Sequence, residues 1–281
     1  MENKMEVRGL RKSYGDFALK DLSFGVPKGY VTGFIGGNGA GKTTTIKSML
    51  SLISCQGEVF FGGRSLRNAD YLQKIGVVMD EPLLAKDWTM DLVNGAMKIG
   101  YDRWSEEIFY SQLLRFRIDR KRRVRELSRG MKIKLMLAIA LSHEAELLIL
   151  DEPTGGLDPS MRDEFTDIIM EFVRDESHTV LFSTHITQDL EAIADYIVFI
   201  DAGRLVFFGG KDEFIEEYLV LKGGIAEAER IDKDCILGRK TSAVGTEILL
   251  RVEDLGKVEG DFLREKTTLD KIMVLYGREK A

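Results

Sequence analysis

The residues whose types and spacing best suit chemistry lie at positions 36–43, which read GGNGAGKT and fit the pattern G-x-x-x-x-G-K-[ST]. Glycines let a backbone curl so that successive N–H groups point inward at phosphate oxygens. The lysine of such a loop reaches the β- and γ-phosphates, and the hydroxyl after it binds Mg²⁺. We therefore predict a nucleotide site, with Lys42 also catalytic and Thr43 also a metal ligand. Its residues are Gly36, Gly37, Asn38, Gly39, Ala40, Gly41, Lys42, Thr43 and Thr44.

Three more side chains with useful chemistry follow apolar runs that are typical of buried strands. Asp151 and Glu152 come directly after one run, and His185 comes after another. In open α/β sheets, ligands bind at the edge where the strands end. Nucleotide hydrolysis needs a carboxylate for the metal, a base for the attacking water and a contact to the γ-phosphate. We predict that Asp151 binds the metal, Glu152 polarises the water and His185 contacts the γ-phosphate, so that Glu152 and His185 join Lys42 as catalytic residues.

These side chains need a sheet to bring them to one edge. Residues 31–35 are apolar enough for a buried strand, and residues 44–52 alternate as a helix does. Strand, loop and helix therefore follow in the order that phosphate binding requires. Residues 4–34 as a whole predict antiparallel β structure. Alternating apolar runs and helical segments after residue 147 predict a parallel sheet.

Two changes in pattern indicate the domain organisation. The middle of the chain is helical with no convincing strand, which predicts a helical subdomain at about residues 87–142. Late in the chain a strand at 247–252 and a helix at 269–276 are predicted. The predicted fold is α/β: a P-loop NTPase core of mixed or parallel sheet, an N-terminal antiparallel β subdomain, the inserted helical subdomain and a small C-terminal α+β appendage. The predicted domains are residues 1–222 and 223–281.

The overall composition argues against several classes of protein. The chain has 281 residues, of which 44% are hydrophobic and 31% charged, as is typical of globular proteins. The net charge of −6 argues against a nucleic-acid partner, since such proteins usually have a strongly basic domain. Two cysteines without a CxxC spacing indicate neither a disulfide framework nor a zinc site. No apolar run reaches the ~18 residues of a membrane-spanning helix, so we expect no transmembrane segment.

Four short motifs follow the glycine-rich loop in a fixed order. Residues 127–131 read LSRGM, 147–154 read LLILDEPT, 155–158 read GGLD and 183–185 read STH. With the loop, this order resembles the nucleotide-binding subunits of ABC transporters, from about residue 5 to residue 210. The combination is highly specific among families that share the loop.

The resemblance implies further roles. Tyr14 matches the aromatic residue that stacks on adenine, and Asp158 matches a loop that communicates between two nucleotide sites. Ser128 and Gly130 match the signature motif, which in this family reaches the ATP held by the opposite subunit. Arg129, between them, adds positive charge at that motif. All five positions are therefore candidate nucleotide-binding residues.

Two departures from the family pattern point to a branch. Asp80 stands where the family usually has Gln, and it can approach magnesium but cannot donate an amide hydrogen bond. We include it as a candidate nucleotide and metal ligand. The signature reads Ser-Arg-Gly-Met instead of the commoner Ser-Gly-Gly-Gln. Both features resemble the bacterial branch that exports peptides, bacteriocins and peptide antibiotics, which also carries a C-terminal appendage.

These features together predict the ATP-hydrolysing motor of an exporter, with ATP and Mg²⁺ as its cofactors. The expected partners are a second nucleotide-binding subunit, either an identical copy or a homologue, arranged head to tail, and separately encoded polytopic membrane subunits docked near residues 80–88. The expected location is the cytoplasmic face of the cell membrane. Two alternatives stay open: a soluble single-domain ABC ATPase of cofactor assembly, and a nucleotide-gated scaffold that binds ATP without hydrolysing it.

Overall fold

The strands and helices are defined by a computed structural model that describes residues 2–65, 69–79 and 84–278. The strands are β1 (Asn3–Tyr14), β2 (Phe17–Pro27), β3 (Val31–Ile35), β4 (Gln56–Phe61), β5 (Arg64–Ser65), β6 (Ile75–Val78), β7 (Leu147–Asp151), β8 (Thr179–Thr184), β9 (Tyr196–Asp201), β10 (Arg204–Gly210), β11 (Tyr218–Gly223), β12 (Gly238–Ser242), β13 (Gly245–Arg251) and β14 (Leu263–Lys266). The helices are α1 (Lys42–Met49), α2 (Met90–Gly100), α3 (Glu106–Arg115), α4 (Arg129–Ala140), α5 (Pro159–Phe172), α6 (Thr187–Glu191), α7 (Lys211–Glu216), α8 (Ile225–Ala228) and α9 (Leu269–Leu275). The chain divides into two units, Met1–Phe208 and Gly209–Ala281.

The centre of the first unit is a six-stranded sheet in the order β10-β9-β3-β8-β7-β6. Strands β6, β7, β8, β3 and β9 pair in parallel. Strands β3, β7 and β8 are buried along their whole length, which explains their continuous apolar sequences. The predicted α/β fold with a parallel sheet is confirmed.

Strand β3 corrects one detail of the prediction. It was expected to continue the antiparallel structure of residues 4–34, but it lies in the parallel sheet between β8 and β9. Thr32 pairs with Leu181 on one side and with Tyr196 on the other. The reason is burial, because a strand that is apolar on both faces is stabilised only inside a covered sheet.

A second sheet, in the order β2-β1-β4-β5, forms the predicted N-terminal antiparallel subdomain. Strand β1 pairs with β2 and with β4, so that Met5 lies opposite Val26 and Phe61. All three side chains are buried in one hydrophobic cluster that also includes Phe34 of the parallel sheet. This cluster fixes the hairpin β1–β2 against the strand that leads into the glycine-rich loop.

The segment between the two halves of the parallel sheet is the predicted helical subdomain, formed by α2, α3 and α4. Each of these helices begins after a capping hydroxyl, on Thr89, Ser105 and Ser128, that accepts a backbone N–H three residues later. Extended structure in this segment is limited, within the described part of the chain, to a bridge between Thr89 and Arg123. Across the described ranges, no helix combines the length and the hydropathy of a membrane span.

The second unit contains a four-stranded antiparallel sheet in the order β12-β13-β11-β14. The boundary lies earlier than the predicted 222–223, because β11 pairs with β13 and β14 of this unit. Strand β13 and helix α9 agree with the predicted elements. Strands β12 and β14 were missed because they form the sheet edges, where polar and charged residues replace the alternating pattern; all four residues of β14 are exposed.

Candidate active site

The glycine-rich loop joins β3 to α1, as its motif predicts. Helix α1 begins at Lys42, and the preceding Gly41 has a left-handed φ of 113°. A Cβ atom at Gly41 would lie 2.6 Å from Leu19 Cδ2 and 2.8 Å from Phe17 Cζ, so a side chain there would collide with β2. Side chains of the hairpin β1–β2 therefore pack directly against the loop. Its close packing explains why this position needs glycine.

The Lys42 ammonium group is held in place by backbone carbonyl oxygens and by an ion pair with Glu152. Its Nζ donates a hydrogen bond of 2.7 Å to the Gly36 carbonyl oxygen and lies 3.2 Å from Glu152 Oε1. The side chain is only 6% exposed. A buried ammonium with a carbonyl and a carboxylate as neighbours keeps donor capacity for phosphate oxygens at the mouth of the loop.

Glu152 contacts both Lys42 of the glycine-rich loop and His185, the residue after β8. Its Oε2 accepts hydrogen bonds from His185 Nδ1 at 2.6 Å and from the His185 backbone N–H at 3.3 Å. Glu152 follows β7 and His185 follows β8, which are neighbouring parallel strands. Parallel pairing thus carries both residues to the same sheet edge. The structure brings Lys42, Glu152 and His185 together around one carboxylate.

Asp151, at the end of β7, is suited to a cation. Its side chain is buried, and its Oδ1 has no hydrogen-bond partner among the described residues. Burial raises the pKa of Asp151, and the neighbouring Thr43 hydroxyl opposes that shift in part. An unpaired buried acceptor beside a hydroxyl is costly unless a positive ligand completes it. The pair therefore fits the hard, oxygen-seeking chemistry of Mg²⁺.

A cavity of about 520 Å³ lies above the loop. Its lining brings together ten of the predicted residues: Gly37, Asn38, Gly39, Gly41, Lys42, Thr43, Thr44, Arg129, Glu152 and His185. Seven other predicted residues do not line it: Tyr14, Gly36, Ala40, Ser128, Gly130, Asp151 and Asp158. Asp80 lies outside the described residues, as do the next three positions of the predicted docking groove.

Phe17 and Gly155 line this cavity and were not predicted. Phe17 is the cross-strand partner of Tyr14 at the tip of the hairpin β1–β2. Phe17 packs over Gly41, whereas Tyr14 is 47% exposed and its ring lies 5.0 Å from Lys12 Nζ. The sequence feature that could have indicated Phe17 is its position as an aromatic residue directly after the turn. Which of the two faces the loop depends on the twist and register of the hairpin.

The signature residues lie where α4 meets α5. The Ser128 hydroxyl caps α4 by accepting the Met131 N–H at 3.3 Å, and Asp158 caps α5 by accepting the Met161 N–H at 3.0 Å. Gly130 packs against the Met161 side chain so closely that a Cβ would overlap it. The Arg129 guanidinium lies over Gly155 and Gly156, 3.0 Å from the position of a Cβ on Gly156. At the start of α4, Ser128 is therefore exposed and Gly130 is buried, and neither lines the cavity of its own chain, although Arg129 between them does.

Comparison with known proteins agrees with this geometry. Residues 19–155 match the sequence model of the family described as ABC transporter. The chain is 37% identical over 210 residues to the lantibiotic transport ATP-binding protein SrtF of Streptococcus pyogenes, covering 72% of this chain and 89% of that protein. This chain belongs to the ATP-binding subunits of ABC transporters. As an ABC ATPase it couples ATP hydrolysis to transport, which is characteristic of the family.

Two further matches extend the comparison. The ABC ATPase is 34% identical over 212 residues to the bacitracin transport ATP-binding protein BcrA of Bacillus licheniformis, covering 73% of this chain and 69% of that protein. A solved structure, titled as the ATP-binding subunit of an ABC transporter, superposes with a TM-score of 0.66 at 29% identity. It covers 74% of this chain and 90% of the solved chain, which confirms the P-loop fold of the first unit.

Proposed function

We propose that this ABC ATPase is the motor of an exporter for peptide antibiotics or similar molecules, with Glu152 as its catalytic base. The observation that carries the proposal is the Glu152 carboxylate, which lies within 3.2 Å of Lys42 Nζ and 2.6 Å of His185 Nδ1. A base at the edge of a phosphate loop, with a histidine beside it, has the arrangement needed to activate water next to a γ-phosphate.

Each residue of this group has a distinct task. Lys42 exchanges its contact with Glu152 for the β- and γ-phosphates of ATP, which frees the carboxylate to accept the proton of the attacking water. His185 keeps that carboxylate oriented and reaches the γ-phosphate. Thr43 and Asp151 would hold Mg²⁺, which when bound neutralises phosphate charge. A positioned base contributes about 10²- to 10⁴-fold in rate.

A second copy or a homologue completes the site. Ser128, which is exposed, and Gly130, which is buried, are at the N-terminal end of α4, where the helix dipole favours an anion. They do not line the cavity of their own chain. Arranged head to tail, the Ser128 end of one subunit would cover the ATP of the other, with Arg129 adding charge and Asp158 linking the two sites.

The exporter role is supported by the relatives. Two of them are named for lantibiotic transport and for bacitracin transport. Such ATP-binding subunits work with membrane subunits, and we propose that those of this chain are separately encoded and hold it at the cytoplasmic face of the membrane. The C-terminal unit would be the appendage of this branch.

The test is the isolation of a trapped complex. Tagged Glu152→Gln protein is purified from detergent-solubilised native cells with Mg-ATP, and partners are identified by mass spectrometry. Because the variant binds ATP without hydrolysing it, we expect a second nucleotide-binding subunit and a stoichiometric polytopic membrane protein. Lys42→Ala, which weakens phosphate binding, is the matched control and should recover less of both. Recovery of soluble partners alone would contradict the exporter role and favour the soluble ATPase.

A further inference from the structure

A second contact, which the proposed mechanism does not use, joins the segments that carry Glu152 and His185. The Thr154 hydroxyl donates a hydrogen bond of 2.5 Å to Asp189 Oδ2, and the Thr154 side chain is fully buried. Thr154 lies two residues after Glu152, and Asp189 lies four residues after His185. A short hydroxyl–carboxylate bond is charge-assisted and about twice as strong as a neutral one. The bond therefore connects the segment after Glu152 with helix α6, which follows His185.

Glu152 needs such support because its backbone is strained. Its φ is 51°, in the left-handed region that a side chain disfavours. On its N-terminal side the Glu152 N–H donates to the Ser183 carbonyl oxygen at 2.9 Å. On its C-terminal side the next residue is Pro153, which has no N–H to donate. Thr154 is thus the first residue after Glu152 whose side chain can hold the loop against the β8 side of the site.

Asp189 reaches this bond from a fixed position. It lies in α6, which starts two residues after His185, and its own N–H donates to the Ile186 carbonyl oxygen at 3.2 Å. The next residue in α6, Leu190, is fully buried. The helix that follows His185 is therefore anchored in the core, and its carboxylate provides a rigid acceptor for Thr154.

We infer that Asp189, acting through Thr154, is a positioning residue that holds Glu152 in register with His185. The inference rests on the proposed role of Glu152 as the base. Neither Thr154 nor Asp189 lines the cavity, so their effect is on the orientation of the carboxylate and not on nucleotide contacts. Loss of the bond lets the loop after Glu152 move away from α6. The carboxylate then leaves the geometry that proton transfer from water requires.

The first arm of the test is steady-state ATPase kinetics of the full chain. Thr154→Val keeps the shape and removes the hydroxyl, and we expect kcat to fall on the order of 10- to 100-fold, the scale of a misplacement near 1 Å. The KM for ATP should stay within about twofold, because transition-state and not ground-state contacts are lost. Thr154→Ser should restore kcat. Asp189→Asn, a milder change that keeps an acceptor oxygen, should lower kcat less than Thr154→Val.

Thr179→Val is the matched control. The Thr179 hydroxyl is equally buried, accepts the Gly29 N–H at 3.0 Å and lies at the opposite end of β8 from His185. Its loss should lower the melting temperature and leave kcat unchanged. An equal fall in kcat in Thr179→Val, or a Thr154→Ser variant as impaired as Thr154→Val, would overturn the positioning role.

The second arm does not depend on activity. The chain has three histidines, so the ring ¹⁵N signals of His185 can be assigned by substitution. The His185 Nδ1 shift reports its hydrogen bond with Glu152 and should change in Thr154→Val but not in Thr179→Val. An unchanged shift would refute the inference. A wild-type chain without ATPase activity would instead contradict the proposed function, and the NMR comparison would then decide the Thr154–Asp189 inference by itself.

Discussion

Replacing Asp151 with asparagine should stabilise the protein while removing a proposed metal ligand. The Asp151 side chain is 3% exposed, and within the described chain its Oδ1 has no partner. An acceptor left unpaired in the interior costs about 1–3 kcal/mol, and more when it is charged. Asparagine keeps the shape and a polar group at this place but removes the buried charge, which is the costlier part. In the absence of Mg²⁺ and nucleotide, we therefore expect Asp151→Asn to raise the free energy of unfolding by about 1–3 kcal/mol near neutral pH.

The sign of the pH dependence follows from the pKa of Asp151. Burial raises that pKa, so the folded protein binds the proton more tightly than the unfolded chain does. The resulting stability is fully present below the ordinary value of 3.8 and is lost as the pH rises through the higher folded value. The advantage of Asp151→Asn over the wild type should therefore grow as the pH rises through this window, and shrink as it falls.

The assay is urea unfolding in EDTA, followed by tryptophan fluorescence. Both tryptophans, Trp88 and Trp104, lie in the first unit, so the signal reports the unit that contains the site. Asp158→Asn is the control, because Asp158 is exposed and asparagine caps a helix as well as aspartate does. Its effect should stay within about 0.5 kcal/mol.

Magnesium should reverse the order of stability. With Asp151 as the proposed ligand, Mg²⁺ with ATP should stabilise the folded wild type by linkage, whereas Asp151→Asn would lack that ligand and should gain less. The reasoning would be refuted by an Asp151→Asn variant that is less stable than the wild type in EDTA near neutral pH. That result would mean that the carboxylate is already paired in the folded protein.

Three other predictions concern the site and the second unit. Glu152→Gln should lower ATP turnover by about 10²- to 10⁴-fold, measured by phosphate release, with the equilibrium affinity for ATP retained; a loss of binding would contradict its role as base. Phe17→Ala should weaken ATP binding by about 1–3 kcal/mol in calorimetry and Tyr14→Ala by less, since Phe17 lines the cavity; the reverse order would assign the adenine contact to Tyr14. Tyr218→Phe should raise the stability of the second unit by about 1 kcal/mol, because the buried Tyr218 hydroxyl finds no partner among the described residues. Burial raises the pKa of Tyr218 to about 12, so the wild type should lose stability relative to Tyr218→Phe as the pH rises from 10 toward 12; parallel pH profiles in urea unfolding would contradict this.

The parts of this protein that the sequence determined by itself are those whose chemistry is local. The loop at 36–43, the two carboxylates at the end of β7 and directly after it, and the histidine after β8 belong to short contiguous motifs. The ends of the parallel strands place them on one edge of the sheet. The helical subdomain could be predicted for the same reason. The 3.6-residue period of apolar side chains and the capping hydroxyls depend only on residues a few positions apart.

The tertiary structure decided which distant segments meet. Strand β3 pairs with β8 and β9, which lie far along the chain. The local sequence pattern around β3 does not indicate which strands it pairs with, so its place in the parallel sheet could not be predicted. The twist of the hairpin β1–β2 places the Phe17 ring against Gly41. The pairing of β7 with β8 brings the Thr154 hydroxyl within hydrogen-bond distance of the Asp189 carboxylate. The edge strands of the second unit are stable only through β11 and β13. Such contacts depend on long-range packing, and the short-range pattern of a single sequence does not contain them.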